Sequence, residues 1–152
     1  MPAASEPPPP LPHTWRPWGA LLAVVVFGTM LVVLCAFVWY GLEPDYRAQF
    51  TLFQRGTLIV LMLLFLGCYH ALVRSRVVAT EAGLVVVNGW RSHRLEWSQV
   101  VSVSLGRGAP WGTLDLSDGT TLSMIGIQGS DGARARRAVR QLRATVAAHS
   151  PG

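Results

Sequence analysis

The chain has 152 residues, 51% of them hydrophobic and 14% charged, and its formal net charge of +5 comes from arginine, since no lysine occurs. That length leaves room for one small domain beside its apolar stretches, and so few charges fit an integral membrane protein better than an average soluble one. The arginine bias reflects either a GC-rich genome or selection for guanidinium chemistry, so it suggests a source and little function.

Residues Met1 to Arg16 open with Pro7 to Pro10 in a row and then Pro12. Prolines remove amide donors and hold the backbone extended, so residues 1–16 are expected to be a disordered, solvated leader. A ligand for an aromatic-lined groove is the other, less favoured, reading of the same prolines.

Two charge-free runs follow, Trp18 to Tyr40 and Gly56 to Val73. As helices they match a hydrocarbon core roughly 30 Å thick, so both are read as spans of a hairpin over residues 17–74. The first run exceeds the apolar length of a signal peptide and no small-x-small cleavage site follows it, so it is expected to be retained. Trp15 and Trp18 near its start, and Trp39 and Tyr40 at its end, are placed as interfacial anchors. Cys35 and Cys68 fall at depths differing by roughly 14 Å in such a hairpin, beyond the about 7 Å that a disulfide tolerates.

The connecting loop, Gly41 to Arg55, is short enough to make the spans antiparallel neighbours. Arginines near the terminal side, Arg16, Arg74 and Arg76, outnumber Arg47 and Arg55 of the loop by a small margin. Ten of the thirteen arginines lie at or beyond Arg74, against five acids there, so the extramembrane part is the basic part. Both termini are therefore expected in the cytoplasm of a multi-pass protein of the cell membrane.

From Val77 the pattern changes to short β segments. Strands are predicted over Val77 to Thr80 and Leu84 to Val87, around the hairpin connection Glu81-Ala82-Gly83, and near His93 to Trp97 after the turn Asn88-Gly89. Val101, Val103 and Leu105 alternate with serines as a half-buried strand does. A loop, Gly106 to Gly112, precedes strands Thr113 to Leu116 and Thr120 to Ile125, joined by the hairpin turn Asp118-Gly119. A helix from Ala133 to Ala148 carries Ala135, Val139, Leu142 and Val146 as one stripe. About six strands and a closing helix make a domain over residues 75–148.

Tandem hairpins capped by an amphipathic helix follow the order of a pleckstrin-homology-like (PH-like) barrel, so the fold class is α+β: a transmembrane α-helical hairpin, then a PH-like β-barrel. Val78 to Leu84, Asn88, Leu95 to Val100 and Leu116 to Gly119 together resemble the bacterial PH-like domain of small actinobacterial membrane proteins, the low molecular weight protein antigen 6 type. The resemblance covers Arg76 to Val146 and implies a fold and a membrane location. It carries over no catalytic residue and no activity. The turn Glu81-Ala82-Gly83 lacks the basic cluster that a phosphoinositide site needs.

No CxxC, HxxxH or paired-carboxylate arrangement occurs, and His13, His70, His93 and His149 are scattered, so no catalytic residue, metal or cofactor is expected. His70 lies about one turn before Arg74, near the headgroup boundary, where interfacial packing is preferred over a proton relay. On the last helix Arg136, Arg140 and Arg143 share one flank, while Arg134 and Arg137 lie on the other. The first flank either touches anionic lipid headgroups or is an ordinary solvated face, and the second reading is preferred. Trp97 is expected in the core. Trp111, in the loop with Arg107, either packs over the end of the barrel or meets an interface or partner.

The function expected is a non-catalytic domain held at the membrane surface, with the bilayer and a protein as partners and no nucleic acid. Competing readings are an anionic-lipid sensor using the helix arginines and, third, a subunit of a membrane enzyme or transporter. The last needs a polar constellation inside the spans, which offer little beyond His70 and Thr29.

Overall fold

The computed structural model describes residues 7–149. Residues 1–6 of the expected leader lie outside the described part. The chain runs β1 (His13–Trp15), α1 (Trp18–Gly41), α2 (Pro44–Ala48), α3 (Leu52–Arg74), β2 (Arg76–Thr80), β3 (Gly83–Asn88) and β4 (Arg91–Leu95). It continues through β5 (Val100–Ser104), β6 (Trp111–Leu116), β7 (Thr121–Gln128) and α4 (Ala133–His149), with 3-10 turns at Trp97–Gln99 and Gly129–Asp131.

α1 and α3 are each long and apolar enough to cross a membrane, and their side chains stay largely uncovered by the rest of the chain. They touch where Gly28, the one buried residue of α1, receives the ring of Phe65. α3 starts four residues before the charge-free run does. Thr51 caps it, accepting from the Gln54 amide while its own amide donates to the Gln54 side chain, so polar residues of the first turn belong to the helix. Between the helices Pro44 opens the short α2, and Arg55 donates to the Arg47 carbonyl at 2.9 Å. Trp39 meets Phe50 of this connection edge to face, and Tyr40 is exposed. Cys35 and Cys68 are free and exposed.

The strands form two antiparallel sheets, β1-β2-β3-β4 and β5-β6-β7, with α4 over the core. The expected barrel is not closed. After β4, Glu96 and Gln99 form a capping box around a 3-10 turn, which carries the chain from the first sheet to the second without β4 pairing to β5. Trp97 lies in that turn, beyond the strand predicted for it. It is nevertheless buried, donating to the carbonyls of Thr80 and Glu81 and stacking on His149.

The sheets meet at Asn88 of β3, whose side chain donates to the Ser123 carbonyl and accepts from the Ile125 amide of β7. Val77, Leu84, Val86, Leu114, Met124 and Leu142 form the centre of the core. α4 contributes the stripe that its spacing predicts, Ala135, Val139, Leu142 and Val146, together with Ala138 and Thr145.

The leader is a strand at its end. β1 pairs with β2 (His13 opposite Ala79, Trp15 opposite Val77), which corrects the expectation of disorder through residue 16. Trp15 is 7% exposed and donates from Nε1 to Gln141 at 3.2 Å. It is a core residue of the domain, which corrects its assignment as an interfacial anchor.

In the β6–β7 turn the Asp118 carboxylate accepts from the Thr120 hydroxyl at 2.7 Å and the Thr120 amide at 2.9 Å. These bonds, the hydroxyl's foremost, hold its pKa below the ordinary carboxylate value. A lowered folded pKa stabilises the turn above the unfolded value, and the contribution is lost as pH falls through the folded one. Carboxyl-carbon NMR of the full chain is expected to find Asp118 titrating below the ordinary carboxylate range. Thr120→Val should move it back toward the ordinary range.

Candidate functional site

Both apolar helices meet one edge of the domain, and each is joined to it by a hydrogen bond that local sequence does not supply. α1 begins after Pro17, which offers no side-chain cap. The cap comes from the domain instead: Asp131, in the turn before α4, accepts from the Gly19 amide at 2.9 Å. A carboxylate there satisfies an orphan amide and complements the positive end of the helix. A Cβ at Gly19 would collide with the same carboxylate oxygen, so the glycine permits the approach.

At the other helix, the Ser75 hydroxyl donates to the Ala71 carbonyl and accepts from the Gly89 amide, both at 2.9 Å. The β3–β4 turn is thereby fastened to the end of α3. Gly89 has φ of 59°, and a Cβ there would press on Ala71, so both conformation and space require glycine. Beside it Trp90, 65% exposed, lies with its ring centroid 4.7 Å from that of His70, and the Arg74 guanidinium sits 6.0 Å from the indole. Trp90 stands outside the strand alternation, and its place after the turn dipeptide Asn88-Gly89 is its sequence signal. His70 accordingly packs against an aromatic ring of the domain.

Two clefts border α4. One, of about 670 Å³, lies between β1, the first turns of α1 and one flank of α4, and Arg16, Arg134 and Arg137 line it with Trp18 and Leu22. The other, of about 500 Å³, is bounded by the loop 105–110, the turn 129–132 and Arg136. It brings Arg107 and Arg136 together.

The remaining sequence-selected residues are dispersed. Arg143 donates from Nε to the Val103 carbonyl of β5 at 2.6 Å, so it fastens α4 to the second sheet. Arg140 is exposed on α4 and has a partner of its own. Trp111 opens β6 opposite Gln128 and is 39% exposed. Among the described residues, no group of three or more His, Cys, Asp or Glu is placed to hold a metal ion.

Two antiparallel sheets with a C-terminal helix packed over them, carried behind a pair of apolar helices, define a PH-like domain with an N-terminal helical hairpin. Residues 74–145 match the family model of the bacterial PH domain. Uncharacterized proteins of Mycobacterium tuberculosis and Mycobacterium bovis are 28% identical to it over 148 residues, covering 92% of this chain and 94% of each relative. The likeness therefore reaches over the helical pair as well as the domain. No solved structure matches the chain.

Proposed function

We propose that this is an integral membrane protein whose α1 and α3 cross the bilayer as an antiparallel hairpin, with both termini in the cytoplasm. Its PH-like domain is a non-catalytic module that binds a protein partner at the membrane surface. One observation carries the reading. Both apolar helices, uncovered along their length, are hydrogen-bonded to the same edge of the domain through Asp131 and Ser75. A bilayer is the solvent that covers such helices without leaving their apolar surface in water. The joint then sets the orientation of the domain, with β4 running away from the membrane.

Among the described residues β4 pairs only with β3, so its outer edge is available to a partner strand, and Arg91 and Arg94 on it are exposed. Open edges template pairing with another chain, and arginines there favour an acidic extended segment. The lipid-sensing alternative built on Arg136, Arg140 and Arg143 has less support, because Arg143 is engaged with β5.

Affinity capture with the full chain in mild detergent tests the module. A partner is expected with the native sequence and is expected to be lost with Arg91→Glu/Arg94→Glu at unchanged melting temperature. Capture unaffected by the reversal would remove β4 as the surface. Turnover of a lipid or peptidoglycan precursor by the purified protein would overturn the non-catalytic reading. Reporter fusions after His149 and within α2 test the orientation.

A further inference from the structure

We infer that the cleft between β1, the start of α1 and α4 is a binding site for an anionic phospholipid, with the headgroup phosphate held by Arg16 and Arg134. The inference rests on the reading of α1 as a span and assigns a ligand to a place that the protein-partner reading leaves unused.

Three features define the occupant. The first is charge. Arg16, which precedes α1, and Arg134 and Arg137 of α4 line one cavity of about 670 Å³, and Asp131, the one acid lining it among the described residues, is engaged with the Gly19 amide. Arg16 and Arg134 make no side-chain hydrogen bond or ion pair among the described residues. Guanidinium groups are planar donors whose geometry suits phosphate oxygens.

The second feature is depth. The cleft also includes Trp18 and Leu22, the latter 66% exposed and one turn into the apolar helix. Its wall therefore passes from a basic rim to hydrocarbon-facing surface within about 6 Å of helix rise. A free phosphate ion would use only the rim, whereas a phospholipid places a phosphate at the arginines and an acyl chain along Leu22. That continuity commits the site to a lipid.

The third is rigidity. The walls are fixed by Trp15, bonded to Gln141 of α4, and by the Asp131 cap on α1. The arginines of this flank are thus presented by a preformed groove, where binding costs less ordering than on an open helix face.

Native mass spectrometry of the full chain released from detergent, with added phosphatidylglycerol, is the test. The native protein is expected to retain phosphatidylglycerol over phosphatidylcholine. Arg16→Ala/Arg134→Ala is expected to weaken that retention at least about tenfold, while Arg16→Lys/Arg134→Lys keeps most of it. Arg136→Ala/Arg140→Ala, on the opposite flank, should leave it unchanged. Melting temperatures of the variants separate lost binding from lost folding. Equal retention by the native and Arg16→Ala/Arg134→Ala proteins overturns the site. Displacement of the lipid by inorganic phosphate at equal concentration overturns the lipid assignment. Release of the chain from membranes by alkaline carbonate overturns the spanning reading itself, whereas a chain that resists carbonate but shows no lipid preference fails on the site alone.

Discussion

Gly126→Val is expected to prevent the domain from folding. Gly126 is buried in β7 where the two sheets cross, and a Cβ there would stand 2.8 Å from both Cα and C of Arg76 and 2.9 Å from the Val77 nitrogen. All three are backbone atoms of β2, so no side-chain rotation relieves the contact. The sheets would have to separate, breaking the bonds from Asn88 to Ser123 and Ile125 and opening the core around Val77. Overpacking ordinarily costs about 1–3 kcal/mol, and a clash against backbone lies above that range. A domain of this size has only about 4–11 kcal/mol in total. Limited proteolysis in detergent should find the variant cleaved throughout residues 75–148 while α1 and α3 stay protected. Gly106→Ala is the control, since a Cβ there meets only the Ala109 methyl at an ordinary 3.6 Å. A Gly126→Val protein as protease-resistant as that control would refute the close approach of β2 and β7.

The elements that could be read from sequence are those whose signal is local. Alternation in Val101 to Leu105 and the turn Asp118-Gly119 correspond to β5 and the β6–β7 connection, and helical spacing finds α4 and its buried stripe. What escaped depends on partners distant in the chain. β1 is three residues long and exists because β2, more than sixty residues later, pairs with it, so the neighbouring prolines dominate any local reading. The Asp131 cap joins residues 112 positions apart, and nothing around Asp131 identifies the helix it serves. Closure of a barrel likewise turns on whether β4 reaches β5. The arginines illustrate the limit for the site: periodicity places Arg136, Arg140 and Arg143 on one flank, but only the fold puts the Arg143 guanidinium on Val103 and Arg134 in a cleft with Arg16.

Trp15→Ala is expected to destabilise the domain by about 3–5 kcal/mol, the usual cost of emptying a buried tryptophan site. The indole fills the gap between β2 and α4, with Val77 opposite in register and Gln141 on its Nε1. Truncation leaves a cavity, takes away the indole donor to Gln141 and removes the contact that holds a three-residue strand in place. The consequence reaches α1, because only Arg16 and the buried Pro17 separate Trp15 from the helix, and the bond from Gly19 to Asp131 depends on where the helix starts. Hydrogen exchange in detergent should therefore find faster exchange at Val77 to Ala79 and also at the first turn of α1, with the rest of α1 unchanged. Trp15→Phe, which refills most of the volume but cannot donate to Gln141, should recover more than half of the lost stability and restore protection in β2. Native-like denaturation of Trp15→Ala would mean that the indole is not part of the core. Loss of stability with protection of the α1 turn intact would mean that β1 does not position the helix. If both effects appear together, the strand is the rigid coupling between the first apolar helix and the domain, and the orientation of the domain is set by a buried tryptophan.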